Sequence, residues 1–101
     1  MIRLTALALF LTAAAPAAFA DAKAESCGYQ ADIVAAIQQA RLDGVRERDV
    51  QTTLLAAAPG WPENYNAAIP LMAPWVYEQK RRVLRNEDLS AAWKELCLAQ
   101  G

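Results

Sequence analysis

The chain has 101 residues, ten Lys/Arg against eleven Asp/Glu, and a formal net charge of −1. That balance is no electrostatic footprint for nucleic acid, and the absence of histidine removes the commonest general base and the commonest zinc ligand together. The hydrophobic fraction of 55% overstates the core, because much of it is alanine and part lies in the first twenty residues.

Residues 1–20, MIRLTALALFLTAAAPAAFA, have the layout of a secretory signal peptide. Arg3 is a short positive start. Leu4 to Ala15 form an apolar run broken only by Thr5 and Thr12, Pro16 is expected to break the helix, and Ala18-Phe19-Ala20 supplies a small-x-small cleavage pattern. Cleavage is expected after Ala20. The apolar run is shorter than the ~20 residues of a spanning helix, and no later stretch is long and apolar enough to be a transmembrane segment once the signal is removed. The periplasm or the extracellular space is therefore the expected location. Residues 21–101 allow one small domain, which at this size buries only ~60–65% of its extended surface. A polar, flexible leader is expected at 21–26, with the helical domain at 27–101.

Export and a pair of cysteines make a disulfide the default reading, and Cys27 with Cys97 allows one intramolecular connectivity. Cys27 opens the stretch CGYQADIVAAIQQAR, where Ile33, Val34, Ile37 and Ala40 recur at helical spacing. Ser26 or Glu25 is expected to cap it, Gln30, Gln38, Gln39 and Arg41 to face outward or sideways, and Gly44 to end it in a left-handed conformation. A second amphipathic pattern runs from Arg46 to Ala58, with Val50, Leu54, Leu55 and Ala58 on one face and Glu47 and Asp49 in the first turn. Pro59-Gly60-Trp61-Pro62 stops it, and Trp61 is expected to pack over the edge of the core.

Between Asn64 and Lys80, the residues Tyr65, Ala68, Ile69, Met72, Ala73 and Val76 keep a helical rhythm although Pro70 and Pro74 lie inside it. An interior proline costs ~3 kcal/mol, so the segment is expected to split into a short piece at 63–68 and a long helix from Pro70 to Arg82. Lys80, Arg81, Arg82 and Arg85 form a basic cluster, read as favourable charge at that helix's C-terminus or, more sharply, as an anion-binding patch. Asn86 is expected to cap a last helix, with Glu87 and Asp88 in its first turn and Leu89, Ala92, Trp93 and Leu96 as its buried face. No strand pattern is present.

Catalytic constellations are missing. Both cysteines are expected to be oxidised, Ser26 and Ser90 have no recognisable base, and neither a glycine-rich phosphate loop nor a calcium loop occurs. No metal or cofactor is expected. Asp43, Glu47 and Asp49, with Glu87 and Asp88, are the carboxylates that a hydrolase of cell-envelope glycans would have to use.

The pattern C-G-Y-x5-A-A-x3-A-R-x2-G at 27–44, W-V-Y at 75–77 and A-W-x3-C at 92–97 resembles that of small exported helical proteins of Gram-negative bacteria. The resemblance spans most of residues 27–97. It implies a helical architecture and a bridge between Cys27 and Cys97, and it carries over no site residues. In size, export and single disulfide the chain is also similar to the small periplasmic acid-stress chaperones, without a shared motif. The expected fold is all-α, a single small domain of three main helices plus short pieces, closed by one disulfide. The expected function is non-enzymatic: an exported, stress-related or protein-interaction module that binds another periplasmic or envelope protein. Its surface would draw on Trp61, Trp75, Tyr77, Lys80, Arg81, Arg82 and Arg85, because aromatic and arginine side chains anchor interfaces.

Overall fold

The computed structural model describes residues 15–100, so the greater part of the expected signal peptide lies outside the described residues. Five α-helices follow one another: α1 (Ala15–Leu42), α2 (Val50–Ala56), α3 (Ile69–Glu78), α4 (Arg81–Asn86) and α5 (Leu89–Ala99). Two 3-10 segments, Glu47–Asp49 and Glu63–Ala68, lead into α2 and α3. No strand occurs among the described residues. The fold is thus all-α, with three main helices (α1, α3 and α5) and shorter pieces between them.

α1 is the spine. Its 28 residues make a rod of about 42 Å at ~1.5 Å per residue. Pro16 lies within the described helix, so it does not end the helix as expected. The stretch 21–26, expected as a leader, is helical and continues α1. Neither Glu25 nor Ser26 is a cap. Instead each serves a side chain one turn on: Glu25 accepts from the Tyr29 hydroxyl at 2.9 Å and Ser26 from Gln30 at 3.2 Å. Farther along, Ile33, Val34 and Ile37 lose all solvent contact, and α2, α3, α4 and α5 all pack against this helix.

The spine ends as its sequence requires. Gly44 takes a left-handed φ of +84°. Its N–H reaches the Arg41 carbonyl at 3.1 Å, while the Val45 N–H reaches Ala40 at 2.9 Å. This is a Schellman motif, and Val45 then packs on the core beside Ala40. α2 ends differently. Ala58, expected on its buried face, is exposed and left-handed at φ +51°. Pro59 disfavours a continued right-handed helix at Ala58, because its ring crowds the residue before it. With α2 shortened to seven residues, Leu54 is buried but Leu55 is left 41% exposed.

The proline-interrupted segment divides as expected at its start, with Glu63–Ala68 a short 3-10 piece and Pro70 in the first turn of α3. It also breaks again. Gln79 and Lys80 are extended, so α3 stops at Glu78 and not at Arg82. Pro74 stays inside α3; it and Pro70 lie on the exposed side, where water can take the carbonyl that a proline cannot serve. The second break redirects the chain so that Leu84 of α4 enters the core, where it is 2% exposed.

Gln38 is the largest departure from the expected surface. It is buried, and all its bonds go to the α4–α5 corner. Its amide nitrogen donates to the carbonyls of Leu84 at 2.7 Å and Glu87 at 2.8 Å, and its oxygen accepts from the Leu89 N–H at 3.2 Å. Two carbonyls at the end of α4 and one N–H at the start of α5 are the groups a helix cannot satisfy internally. One side chain from the spine supplies all three. Asn86 therefore does not cap α5; it closes α4 by donating to the Arg82 carbonyl, and Asp88 caps α5 by accepting from the Ala91 N–H at 3.2 Å. The buried side of α5 is correspondingly Leu89, Trp93 and Cys97, one turn apart, while Ala92 and Leu96 face solvent.

Cys27 and Cys97 form a disulfide with a Cα–Cα separation of 5.7 Å, joining residues 70 positions apart. A loop of that length contributes roughly 4 kcal/mol through the entropy of the unfolded chain.

Two substitutions of opposite sign test the helix ends. Gly44→Ala meets no steric neighbour, so its cost of about 1 kcal/mol is wholly conformational; Ala58→Gly should stabilise by about 0.5–1 kcal/mol. Denaturant titration giving both the same sign would contradict the left-handed assignments. Gln38→Leu should cost about 2–4 kcal/mol by leaving three backbone groups unserved; a midpoint unchanged in urea would mean that the clamp holds nothing.

Candidate functional site

An aromatic-lined concavity lies where α3, α5 and the Glu63–Ala68 segment meet α1. It is an open groove of about 550 Å³ lined by Gln30, Asn64, Tyr65, Ala68, Leu71, Met72, Trp75 and Trp93. Each wall has a local cause. Tyr65 is fixed by its hydroxyl, which donates to Ser26 Oγ at 3.0 Å, and by its ring, 5.2 Å from that of Tyr29. Trp93 donates from Nε1 to Gln30 Oε1 at 3.1 Å and packs against Trp75 with ring centroids 5.6 Å apart. Leu71 lies one turn before Trp75 on α3 and is 79% exposed. Among the described residues, no charged side chain lines the groove. Apolar walls with a few amide groups suit an uncharged guest of modest size.

The aromatic side chains named as candidate interaction residues lie in separate places. Trp75 is in the groove. Trp61 lines a second, smaller hollow of about 300 Å³ between α1 and α2, where it packs on the core and donates to Asn66 Oδ1 at 2.7 Å. Tyr77 is half-buried elsewhere: its hydroxyl donates to the Val45 carbonyl at 2.6 Å, and Arg41 lies over its ring at 5.2 Å. Burial raises the Tyr77 pKa above its ordinary value of 10.0, the nearby Arg41 opposes this, and Glu47 and Asp49 reinforce it.

Lys80, Arg81, Arg82 and Arg85 are all exposed, and among the described residues none is in an ion pair. Their setting differs from the expected one. Lys80 precedes α4, Arg81 and Arg82 occupy its first turn and Arg85 its last, so only Arg85 sits at the negative end of that helix.

The carboxylates do not converge. Asp43 borders the Trp61 hollow and accepts from Gln39 at 2.9 Å; Glu47 lies beside α3 near Pro70 and Pro74; Glu87 and Asp88 flank the α4–α5 corner. Asp49 is paired with Arg46 at 2.9 Å. Asp88 has its pKa lowered, first by the Ser90 hydroxyl and then by the Ala91 N–H, which marks a cap and not a proton donor. Only Glu87 and Asp88, neighbours in sequence, border the same open hollow, of about 360 Å³, and Asp88 is engaged there as the α5 cap, so among the described residues they do not form the pair of free acids that glycoside hydrolysis requires. No group of three or more His, Cys, Asp or Glu residues able to hold a metal is found among the described residues.

Reading the residues missed Gln30 and Gln38 as structural partners and Leu71 and Asn64 as groove residues. Leu71 had a signal: it falls off the Tyr65–Ala68–Met72–Val76 stripe, so a large apolar side chain there had to face outward.

Tyr77 gives a pH prediction. Its folded-state pKa is raised, so its contribution is complete below about pH 10 and is lost as pH rises through the raised value. Tyr77→Phe should lose about 1 kcal/mol at neutral pH and show a shallower alkaline decline than the parent in parallel urea titrations; identical alkaline limbs would refute the assignment.

Comparison of the chain with family models, with curated proteins and with solved structures finds no match.

Proposed function

We propose that the chain is an exported, non-enzymatic binding protein of the cell envelope, which holds apolar segments of other proteins in the groove between α3 and α5. The observation that carries this reading is Leu71, a large apolar side chain 79% exposed beside the aromatic walls of Trp75, Trp93 and Tyr65. An exposed apolar patch at a concavity is where a protein partner docks. Export is supported by the leader pattern of residues 1–20 and by the disulfide, a bond that persists in oxidising compartments. No helix among the described residues is long and apolar enough to cross a membrane. The resemblance to small exported helical proteins of Gram-negative bacteria agrees with this placement. The periplasm is its natural site, and stress, which unfolds envelope proteins, is its natural occasion.

A second reading is favoured by the basic cluster, whose four exposed cations lie within six positions and are free of ion pairs among the described residues. It would bind an anionic surface.

One experiment separates the two. The protein is mixed with a client diluted from guanidinium, and suppression of client aggregation is followed by light scattering. Leu71→Asp, at an exposed site that the fold tolerates, should weaken suppression at least about fivefold, the effect of an anchor worth ~1 kcal/mol. The quadruple change Lys80→Ala, Arg81→Ala, Arg82→Ala and Arg85→Ala should leave it intact. Equal suppression by Leu71→Asp and parent would sink the groove reading; loss only in the quadruple variant would transfer the function to the basic cluster.

A further inference from the structure

We infer that the Cys27–Cys97 bond is a redox-operated clasp on the last turns of α5, such that reduction frees residues 94–99 while the rest of the domain stays folded. The inference goes beyond the binding reading and does not require it.

The core is built mainly from α1, α2, α3 and α4; α5 adds the buried Leu89 and packs Trp93 against it. Beyond Trp93, Cys97 is the one residue of α5 that is not exposed. Lys94, Glu95 and Ala99 are exposed, and so are Leu96 at 61% and Leu98 at 43%. Although α5 runs along α1, the side chains of its end other than Cys97 stay exposed, so sulfur is the main hold on that end. An eleven-residue helix without tertiary support is marginal in water, so its end frays once untied.

The front half of α5 has separate anchors. Leu89 is 6% exposed and its N–H donates to Gln38, while Trp93 is tied to Gln30 and packed on Trp75. Neither cysteine belongs to the main core cluster. Breaking the bond consequently acts on the helix end and leaves the Ile33–Val34–Ile37 packing in place.

The two sulfurs differ in access. Cys27 is 1% exposed and Cys97 is partly open, so an incoming thiolate approaches Cys97. With a dithiol reductant, its thiolate attacks Cys97 Sγ, forming a mixed disulfide and expelling Cys27 as thiolate. The second thiol of the reductant then displaces Cys97 as thiolate and leaves the reductant as a disulfide. Two electrons pass to the protein, and the two protons lost by the reductant are taken up at Cys27 and Cys97.

Hydrogen exchange on the full-length oxidised protein, before and after dithiothreitol, tests this. On reduction, amides of residues 94–99 should exchange within about tenfold of the free-chain rate, while those of 33–40 and 69–76, though accelerated by the lost loop entropy, stay protected at least about a hundredfold against the free chain. The double variant Cys27→Ser, Cys97→Ser should reproduce that pattern without reductant. Loss of protection in all three regions, or no change at 94–99, overturns the proposal.

Discussion

Ile33, Val34 and Ile37 are sealed from solvent on a single helix, and every other helix covers part of that stripe. A domain of this size has little apolar area to spare, so it cannot support two independent layers. It uses one long helix as a wall and drapes short pieces over it. The short pieces explain the breaks. α2, α3 and α4 are each too brief to bury a full stripe, and each contributes a few residues: Val50 and Leu54, then Ile69, Met72, Ala73 and Val76, then Leu84. Prolines and extended dipeptides set the angles between them.

Such a segmented cover leaves many helix ends near the interior, and the polar groups at those ends must be served. The spine does much of this with amides. Gln38 binds the α4–α5 corner, and Gln30 takes the Trp93 indole. Tyr77 ties the far end of α3 to the turn after α1, through Val45. Uncharged side chains suit these places, because a buried charge would bring a desolvation cost that an amide avoids. The same choice leaves the α3–α5 groove without a charged wall.

The architecture was legible because its signals are local. Ile33, Val34, Ile37 and Ala40 announced the spine by spacing, Gly44 announced its end, and Cys27 with Cys97 announced the closure. Pro70 announced a start, but the break at Gln79–Lys80 carries no glycine or proline and follows from where Leu84 has to go. Gln38 was illegible for the same reason: a glutamine between buried positions reads as surface until the carbonyls of Leu84 and Glu87 arrive from 46 and 49 residues away. At the candidate site, the aromatic surplus was visible in composition. Its division into a groove at Trp75 and Trp93 and separate plugs at Trp61 and Tyr77 depends on helix angles that spacing does not encode.

The first described turns of α1 stand apart from this economy. Ala18 to Ala22, Ala24 and Glu25 are exposed, and the earliest bond from the spine to a distant element is the one between Ser26 and Tyr65. Among the described residues, 18–22 therefore cover no part of the body of the protein. A peptidase cutting at Ala20 would leave a short helical handle on an intact domain, and a tether or label attached there would stand clear of the groove.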